Sequence, residues 1–174
     1  MKKSLLTATL VAIFGFANAQ TDQGGWLVGA SSNLGFSSTS YDAPGADNTS
    51  SFNFEVAGGY FIMDNLAAGL NIGIANEKEG DDKTTVTAFG PFARYYVNGT
   101  FYVGASFAAA KVKNEFTGGS SDFSFSILGL EAGYPIWIVD NVAIEPGLRY
   151  DMASGSDITN NNSFGVNIGF NLYF

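Results

Sequence analysis

Six polar side chains fall in stretches of sequence that otherwise consist of apolar and small residues. They form our candidate polar site: Glu55, Asn71, Arg94, Glu131, Glu145 and Arg149, with Asp151 two positions further on. Two carboxylates such as those of Glu131 and Glu145 could work as general acid and general base. The sequence has no histidine, the commonest general base and metal ligand, and no cysteine. We therefore predict that the protein is not an enzyme and uses no metal or cofactor.

The elements that position these residues follow an N-terminal export signal. Two lysines precede an apolar run from Leu5 to Phe16, and a small-residue cleavage motif ends at Ala19. This order is typical of a secretory signal peptide, so we predict residues 1–19 as the signal peptide and 20–174 as a single domain. The alternative is an uncleaved anchor, but the apolar run is shorter than the ~20 residues of a spanning helix.

The composition is unusual for a surface that meets water. Charged residues make up 14% of the chain, aromatic residues reach 15% and glycine occurs 22 times, whereas a soluble surface is typically about 25–35% charged. Without the two lysines of the signal peptide, six basic residues face 16 acidic ones, a net charge of −10. This balance argues against nucleic-acid binding. The scarcity of charge predicts that something other than water covers the outside.

Apolar residues alternate with small or polar ones along the rest of the chain, in runs typical of β-strands. Short connections rich in Asn, Asp and Gly, as in tight hairpins, take turns with long polar ones. The short ones are 62–65, 97–99 and 138–141, and the long ones are 37–51, 76–84, 113–122 and 152–162. The carboxylates of 76–83 do not match the spacing of a Ca²⁺ loop, so we interpret this segment as a solvated loop. Eight strands are predicted, at 25–36, 52–61, 66–75, 85–96, 100–112, 123–136, 142–151 and 163–174.

The two faces of these strands differ in character. One carries large apolar residues, and the other holds glycine, serine, asparagine and the candidate polar site. An inward apolar face, as in a soluble lipocalin-like barrel, would leave water facing small residues and overfill an eight-stranded interior with aromatics. We therefore predict an all-β fold, an eight-stranded antiparallel up-and-down transmembrane β-barrel with its apolar face toward lipid. The barrel must be closed because an open edge would leave unpaired backbone groups in hydrocarbon.

Aromatic residues cluster at the ends of the predicted strands, as an interfacial girdle requires. Beside the short turns and the termini, we assign the girdle to Trp26, Tyr60, Tyr95, Phe101, Tyr134 and Trp137. The sixth strand breaks the pattern, since Phe123, Phe125 and Ile127 lie on the face predicted to be inward. We interpret this break as a β-bulge or a later start of the strand.

Three stretches carry a family resemblance that covers the whole chain after the signal peptide: "GYFIMDNLAAG" (59–69), "PFARYY" (91–96) and "GFNLYF" (169–174). With the eight alternating strands, they resemble the small outer-membrane β-barrels of the OmpA/OmpX-like type, also known as porin-family or outer-membrane β-barrel domain proteins. The Asp-Asn turns and the absence of cysteine are similar to Bacteroidetes members. The resemblance implies the bacterial outer membrane, with short turns in the periplasm and long loops outside. It also implies that Phe170, Leu172 and Phe174 form a signal read by the barrel-insertion machinery.

Two interpretations of the candidate polar site lead to different functions. A salt-bridged plug would fix the strand register and close the lumen, whereas a gate would line a narrow channel. Glu145 and Arg149 lie about 13 Å apart along one strand, so we expect them to pair with residues on neighbouring strands. We favour the plug.

The predicted role is therefore structural or interactive, and the alternative is a narrow channel or small-solute transport protein. The expected partners are outer-membrane lipid and lipopolysaccharide, the barrel-insertion machinery, and a surface ligand or protein bound by the long loops. A third class, a soluble secreted barrel, predicts solubility without detergent.

Deletion of Phe174 tests the predicted insertion signal. We expect the truncated protein to reach the outer membrane at clearly lower levels, because a recognition element is lost. The fraction that folds should keep near-normal stability. Immunoblots of outer-membrane fractions, combined with heat-dependent gel mobility, measure both quantities. Normal membrane levels of the truncated protein would refute the role of Phe174 in insertion.

Overall fold

The computed structural model describes residues 21–31, 35–39, 49–97 and 100–174. These residues form ten β-segments: β1 (Trp26–Ser31), β2 (Gly35–Thr39), β3 (Thr49–Met63), β4 (Leu66–Glu79), β5 (Asp82–Val97), β6 (Phe101–Phe116), β7 (Gly119–Gly133), β8 (Ile136–Val139), β9 (Val142–Ser154) and β10 (Asn161–Tyr173). Within the described ranges, no helix has the length and apolarity needed to cross a membrane. The predicted signal peptide lies outside them.

All pairings are antiparallel, and chain neighbours pair in order around the sheet. β1 and β2 both pair with β3, and β7 and β8 both pair with β9, so the ten segments make eight barrel strands. The sheet closes where β1 pairs with β10, from Leu27 opposite Tyr173 to Ser31 opposite Gly169. The backbone N–H of Phe174 also donates to the carbonyl of Trp26 at 3.0 Å. The predicted closed eight-stranded antiparallel barrel is confirmed.

The alternation of residue types becomes an inside and an outside. Along β10, the side chains of Phe164, Val166 and Phe170 are more than half exposed, while Asn171 between them and the chain end is buried. The same division holds around the wall, with large apolar residues outside and small or polar residues inside. This is the arrangement of a barrel whose outer surface meets lipid.

The predictions of long loops at 76–84 and 113–122 are wrong. Gly80–Asp81 is a two-residue turn between β4 and β5, and Thr117–Gly118 is a two-residue turn between β6 and β7. Gly80 and Gly118 adopt φ of +57° and +102°, which glycine tolerates without a steric cost. The acidic segment 76–83 is therefore a β-hairpin that extends the wall, not a loop. We call this end of the barrel, with its two hairpins, the outer end.

The polar composition of these hairpins concealed their strand structure. Side-chain pairs hold them together, because Thr85 donates to Asn76 at 2.9 Å and Lys111 pairs with Asp122 at 2.6 Å. Cross-strand hydrogen bonds and ion pairs of this kind stabilise a ladder without apolar residues. The other two predicted loops are shorter or only partly described: β9 and β10 leave 155–160 between them, and most of 37–51 lies outside the described residues.

The opposite end, called the inner end, holds the tight turns at Asp64–Asn65 and Asp140–Asn141 together with Trp26 and Phe174. The third predicted short turn, 97–99, is described only at Val97. In the Asp64–Asn65 turn, Asn65 takes φ of +65°, a conformation that asparagine adopts more readily than most residues.

The interpretation of the sixth strand was also wrong. β7 begins at Gly119, earlier than predicted, and keeps one continuous register with β6 from Phe116 opposite Gly119 to Tyr102 opposite Gly133. No bulge interrupts this register. Strand structure is interrupted only at Tyr134 and Pro135, before β8, and the register against β9 first shifts between Trp137 and Val139. The side chains of 123, 125 and 127 therefore point into the lumen.

One glycine in the wall allows a close approach of two strands. Pairing of β5 with β6 is interrupted at Gly90 and Pro91 and resumes in the same register, since proline cannot donate to the ladder. A Cβ on Gly90 would overlap the carbonyl oxygen of Phe107 and lie 2.7 Å from Cα of Ala108. A side chain at this position would therefore push the two strands apart.

Replacement of Gly90 by alanine tests this contact. We expect Gly90→Ala to destabilise the folded barrel by about 1–3 kcal/mol, the usual cost of overpacking. Gly165→Ala is the matched control, because a Cβ there meets no atom within 4 Å. Urea titration of the protein in lipid vesicles, followed by heat-dependent gel mobility, gives both midpoints. Equal urea midpoints for the two variants would show that β5 and β6 can move apart at Gly90 without loss of stability, and would contradict the importance of this contact.

Candidate functional site

The inner end of the lumen is filled by aromatic side chains. Phe61, Tyr96, Tyr102 and Tyr173 are each no more than 2% exposed, and Leu27 is buried with them. The ring of Tyr96 lies 5.7 Å from that of Phe61, 5.6 Å from that of Tyr102 and 6.1 Å from that of Tyr173, centroid to centroid. Tilted and edge-to-face contacts of this kind are the favoured aromatic geometries. The rings thus pack against one another across the lumen.

Arg94 lies directly above these rings and connects two carboxylates. Its Nε donates to Glu131 at 2.9 Å and its Nη1 donates to Glu145 at 3.0 Å. Its guanidinium carbon is 4.2 Å from the centre of the Tyr102 ring, close enough for a cation–π interaction. Tyr173 donates a hydrogen bond to the second oxygen of Glu145. We call Arg94, Glu131 and Glu145 the ion cluster.

The ion cluster crosses the lumen rather than following the wall. Arg94 lies on β5, Glu131 on β7 and Glu145 on β9, whereas the neighbours of β5 in the sheet are β4 and β6. The ionic partner of Glu145 therefore lies across the lumen, whereas Tyr173, which donates a hydrogen bond to Glu145, lies on β10 beside β9, as expected of a neighbouring strand. A barrel of eight strands is narrow enough for opposite walls to touch, so a long arginine reaches partners that adjacency in the sheet does not supply.

A second charged group lies nearer the outer end. Arg149 donates through Nε to Asp151 at 2.9 Å, and its Nη1 lies 3.5 Å from Glu55 on β3. Asp151 is on the same strand as Arg149, and Glu55 is across the lumen. On the neighbouring strand β7, Glu131 lies directly opposite Arg149 in the register. These three side chains are about one quarter exposed, whereas Glu145 is fully buried.

The structure brings the six residues of the candidate polar site together. Glu55, Asn71, Arg94, Glu131, Glu145 and Arg149 all line one small cavity of about 50 Å³. Asn71 contributes an amide whose Oδ1 is buried without a hydrogen-bond partner among the described residues. No group of three or more Asp or Glu side chains in the described part of the chain is arranged to hold a metal ion.

A much larger cavity of about 540 Å³ lies above it in the outer half of the lumen. Glu55, Asn71 and Arg149 line both cavities, so the charged group forms the boundary between them. The wall of this outer cavity includes the three apolar residues of β7 that the sequence pattern could not place. The lumen is thus filled with side chains at its inner end and open in its outer half.

Of the six residues that we assign to the girdle, five face outward and one does not. Trp26, Tyr60, Tyr95, Phe101 and Tyr134 are outward and substantially exposed near the inner end. Trp137 differs, because it is half-buried and its ring lies 4.7 Å from that of Tyr173. The assignment of Trp137 to the outward girdle is therefore wrong, because the register of β7 against β9 continues into β8 and places Trp137 opposite the buried Ala143. Phe170 and Phe174 are exposed on the outer face, and Leu172 is half-buried.

Sequence reasoning missed the aromatic residues inside the barrel. Tyr96 follows Arg94 by two positions, and Tyr102 precedes Gly104 by two, so both share the parity of the inward face. That parity was the available signal. The argument that aromatic rings would overfill the interior obscured it, since rings do fill the inner end of this lumen.

A closed antiparallel barrel with an apolar exterior and a charged lumen defines an integral β-barrel membrane protein. The sequence matches the family model of the outer membrane protein beta-barrel domain over residues 5–174. The chain belongs to this family and is a protein of the bacterial outer membrane, which the sequence predicted. The soluble secreted barrel considered above does not apply.

Solved structures share the fold at low identity. Neisserial surface protein A is 17% identical, with 86% of this chain and 96% of that chain aligned and a TM-score of 0.60. Yersinia pestis Ail in a phospholipid nanodisc is 15% identical over 87% and 100% of the two chains, with a TM-score of 0.53. The N-terminal barrel domain of Pseudomonas aeruginosa OprF is 15% identical over 87% and 98%, with a TM-score of 0.52. A search among curated proteins found no match.

Removal of Arg94 tests the energetics of the ion cluster. We expect Arg94→Met to destabilise the barrel by about 3–5 kcal/mol, because it leaves buried carboxylates without a counter-charge. The triple variant Arg94→Met/Glu131→Gln/Glu145→Gln should recover a large part of this loss. Urea midpoints in lipid vesicles measure both. A triple variant less stable than Arg94→Met would contradict the assignment of the loss to uncompensated charge.

Proposed function

We propose that this protein is a closed outer-membrane barrel whose role is structural or interactive and whose lumen carries no solute across the membrane. The observation that supports the proposal is the packing of the inner end, where Arg94 joins two carboxylates above four buried aromatic rings. The cavity around the ion cluster, about 50 Å³, has room for a few water molecules at most. A hydrated ion or a metabolite would have to displace several ion pairs and rings together.

The outer end is the part of the molecule that suits contact with a partner. Strands of 14 to 16 residues, such as β4, β5 and β6, exceed the ~9–11 residues that cross a bilayer. The excess forms the β4–β5 and β6–β7 hairpins. A preformed hairpin loses less conformational entropy on binding than a mobile loop does, so these hairpins replace the predicted long loops as the proposed surface for a ligand or protein.

Lysine placement supports contact with lipopolysaccharide. Lys111 and Lys113 share the outward parity of Phe107 on β6 and lie just beyond it toward the outer end. Their side chains are more than half exposed. Cations at this level could meet lipid phosphates, as positive side chains do at a membrane surface. Contact with the barrel-insertion machinery during biogenesis remains part of the proposal.

The alternative is a narrow channel. It is favoured by one observation, the shared lining of the outer cavity and the small cavity by Glu55, Asn71 and Arg149. Rearrangement of Arg149 and Glu55 would join the two spaces, and rearrangement of the ion cluster would extend them toward the inner end. A channel of this kind would depend directly on Arg94 and Glu131.

Planar-bilayer recording separates the two functions. We expect the wild-type protein to give no stable openings, because the inner end is packed. Tyr96→Ala/Tyr173→Ala, which removes two of the packed rings, should give small openings and so demonstrate insertion in the same assay. Stable wild-type openings that disappear in Arg94→Ala or Glu131→Ala would establish transport and overturn the closed-barrel proposal.

A further inference from the structure

The outer cavity has an apolar wall that the closed barrel does not require. Phe123, Phe125 and Ile127 point into the lumen from consecutive inward positions of β7, and Val112 adds to the same wall from β6. At the inner end, large inward side chains fill the space and are almost fully buried. The three β7 side chains remain half-buried beside about 540 Å³ of unfilled space.

The opposite positions keep this space open. Gly73, Ala88 and Ala108 face the cavity from β4, β5 and β6, and Ala153 faces it from β9. Pairing large apolar residues on one wall with very small ones on the others leaves a void instead of a packed core. Its volume falls within the range of about 300–1,000 Å³ that is typical of small-molecule sites.

The floor of the cavity is acidic. The carboxylates of Glu55 and Asp151 lie beside the guanidinium of Arg149, so the formal charge of these three side chains is −1. Asn71 adds a buried Oδ1 that accepts no hydrogen bond among the described residues. Buried acceptors without a donor are rare and costly in folded proteins. A donor from a ligand would satisfy the Asn71 oxygen.

We propose that the outer cavity binds a small amphipathic organic cation, with its apolar body against the β7 wall and its ammonium group at the floor. The apolar wall supplies burial, and the low dielectric of the barrel interior strengthens the attraction between the ammonium and the Asp151 carboxylate. The ion cluster lies beneath this floor, so the site retains its ligand and does not pass it on. This inference goes beyond the proposed function and does not depend on a partner at the hairpins.

Calorimetric titration of the protein in phosphatidylcholine nanodiscs tests the proposal. The probe is 2-(1-naphthyl)ethylammonium, the matched anion is 1-naphthylacetate, and empty nanodiscs supply the background. We expect saturable binding of one ammonium per barrel and at least about tenfold weaker binding of the anion, a difference of about 1.4 kcal/mol. Absence of saturable ammonium binding, or equal binding of both probes, would overturn the proposal.

Two matched substitutions locate the binding. Ala108→Trp places an indole inside the cavity beside Ile127, whereas Ala109→Trp places it on the lipid-facing side of the same strand. Ala108→Trp should abolish binding and Ala109→Trp should preserve it, with heat-dependent gel mobility confirming that each variant is folded. Asp151→Asn should weaken ammonium binding and leave the binding of the anion unchanged or improved. Binding that survives Ala108→Trp in a folded barrel would place the probe elsewhere and contradict the site.

Two different measurements test the closed barrel and the binding site. The conductance assay reports on the inner end, and the titration reports on the outer cavity. Wild-type openings together with saturable ammonium binding would refute the closed barrel and leave the binding site in place. Bilayers without wild-type openings, together with no saturable ammonium binding, would support the closed barrel and refute the binding site.

Discussion

The attachment of one arginine to two carboxylates across a narrow barrel is the interaction on which the interior depends. Arg94 reaches from β5 to β7 and β9 and stacks on the ring of Tyr102. In a low-dielectric lumen, a charge without a partner would be very costly, so the positions of Glu131, Glu145 and the tyrosines are mutually constrained. Removing any member leaves the others in an unfavourable environment. The ion cluster therefore fixes how opposite walls approach each other.

This constraint divides the lumen into two halves of different character. Below the ion cluster, aromatic rings from β3, β5, β6 and β10 fill the space. Above it, small residues face an apolar wall and the space stays open. The lipid-facing exterior is uniform by comparison, because it needs only an apolar band with aromatic ends. Differences in function among barrels of this size are therefore expected to arise from the lumen and the outer hairpins.

The fold could be predicted from the sequence because a period of two records directly which side of a strand each residue occupies. The same rule assigns Glu55, Arg94 and Arg149 to the lumen from the sequence alone. The rule could not predict which of these residues form ion pairs with each other. Strand tilt and barrel diameter decide which residues meet across the lumen, and neither quantity can be predicted from local sequence. The hairpins at Gly80 and Gly118 were missed for another reason. Their stabilising pairs are polar, and polar composition alone is typical of loops.

The prediction failed most usefully at β7. Phe123, Phe125 and Ile127 looked like an error of register, but the register is continuous and the residues form one wall of the outer cavity. A local departure from the expected pattern of a strand can thus mark a feature of the interior rather than a break in the strand.

Cysteine accessibility tests the closure of the lumen most directly, because the chain has no cysteine of its own. Ser163 lines the outer cavity, and Ala143 is fully buried in the aromatic packing of the inner end. A membrane-impermeant thiol reagent should modify Ser163→Cys rapidly in the folded protein, leave Ala143→Cys unmodified, and modify both after unfolding. Modification of Ala143→Cys in the folded barrel at a rate close to that of Ser163→Cys would contradict a closed inner end.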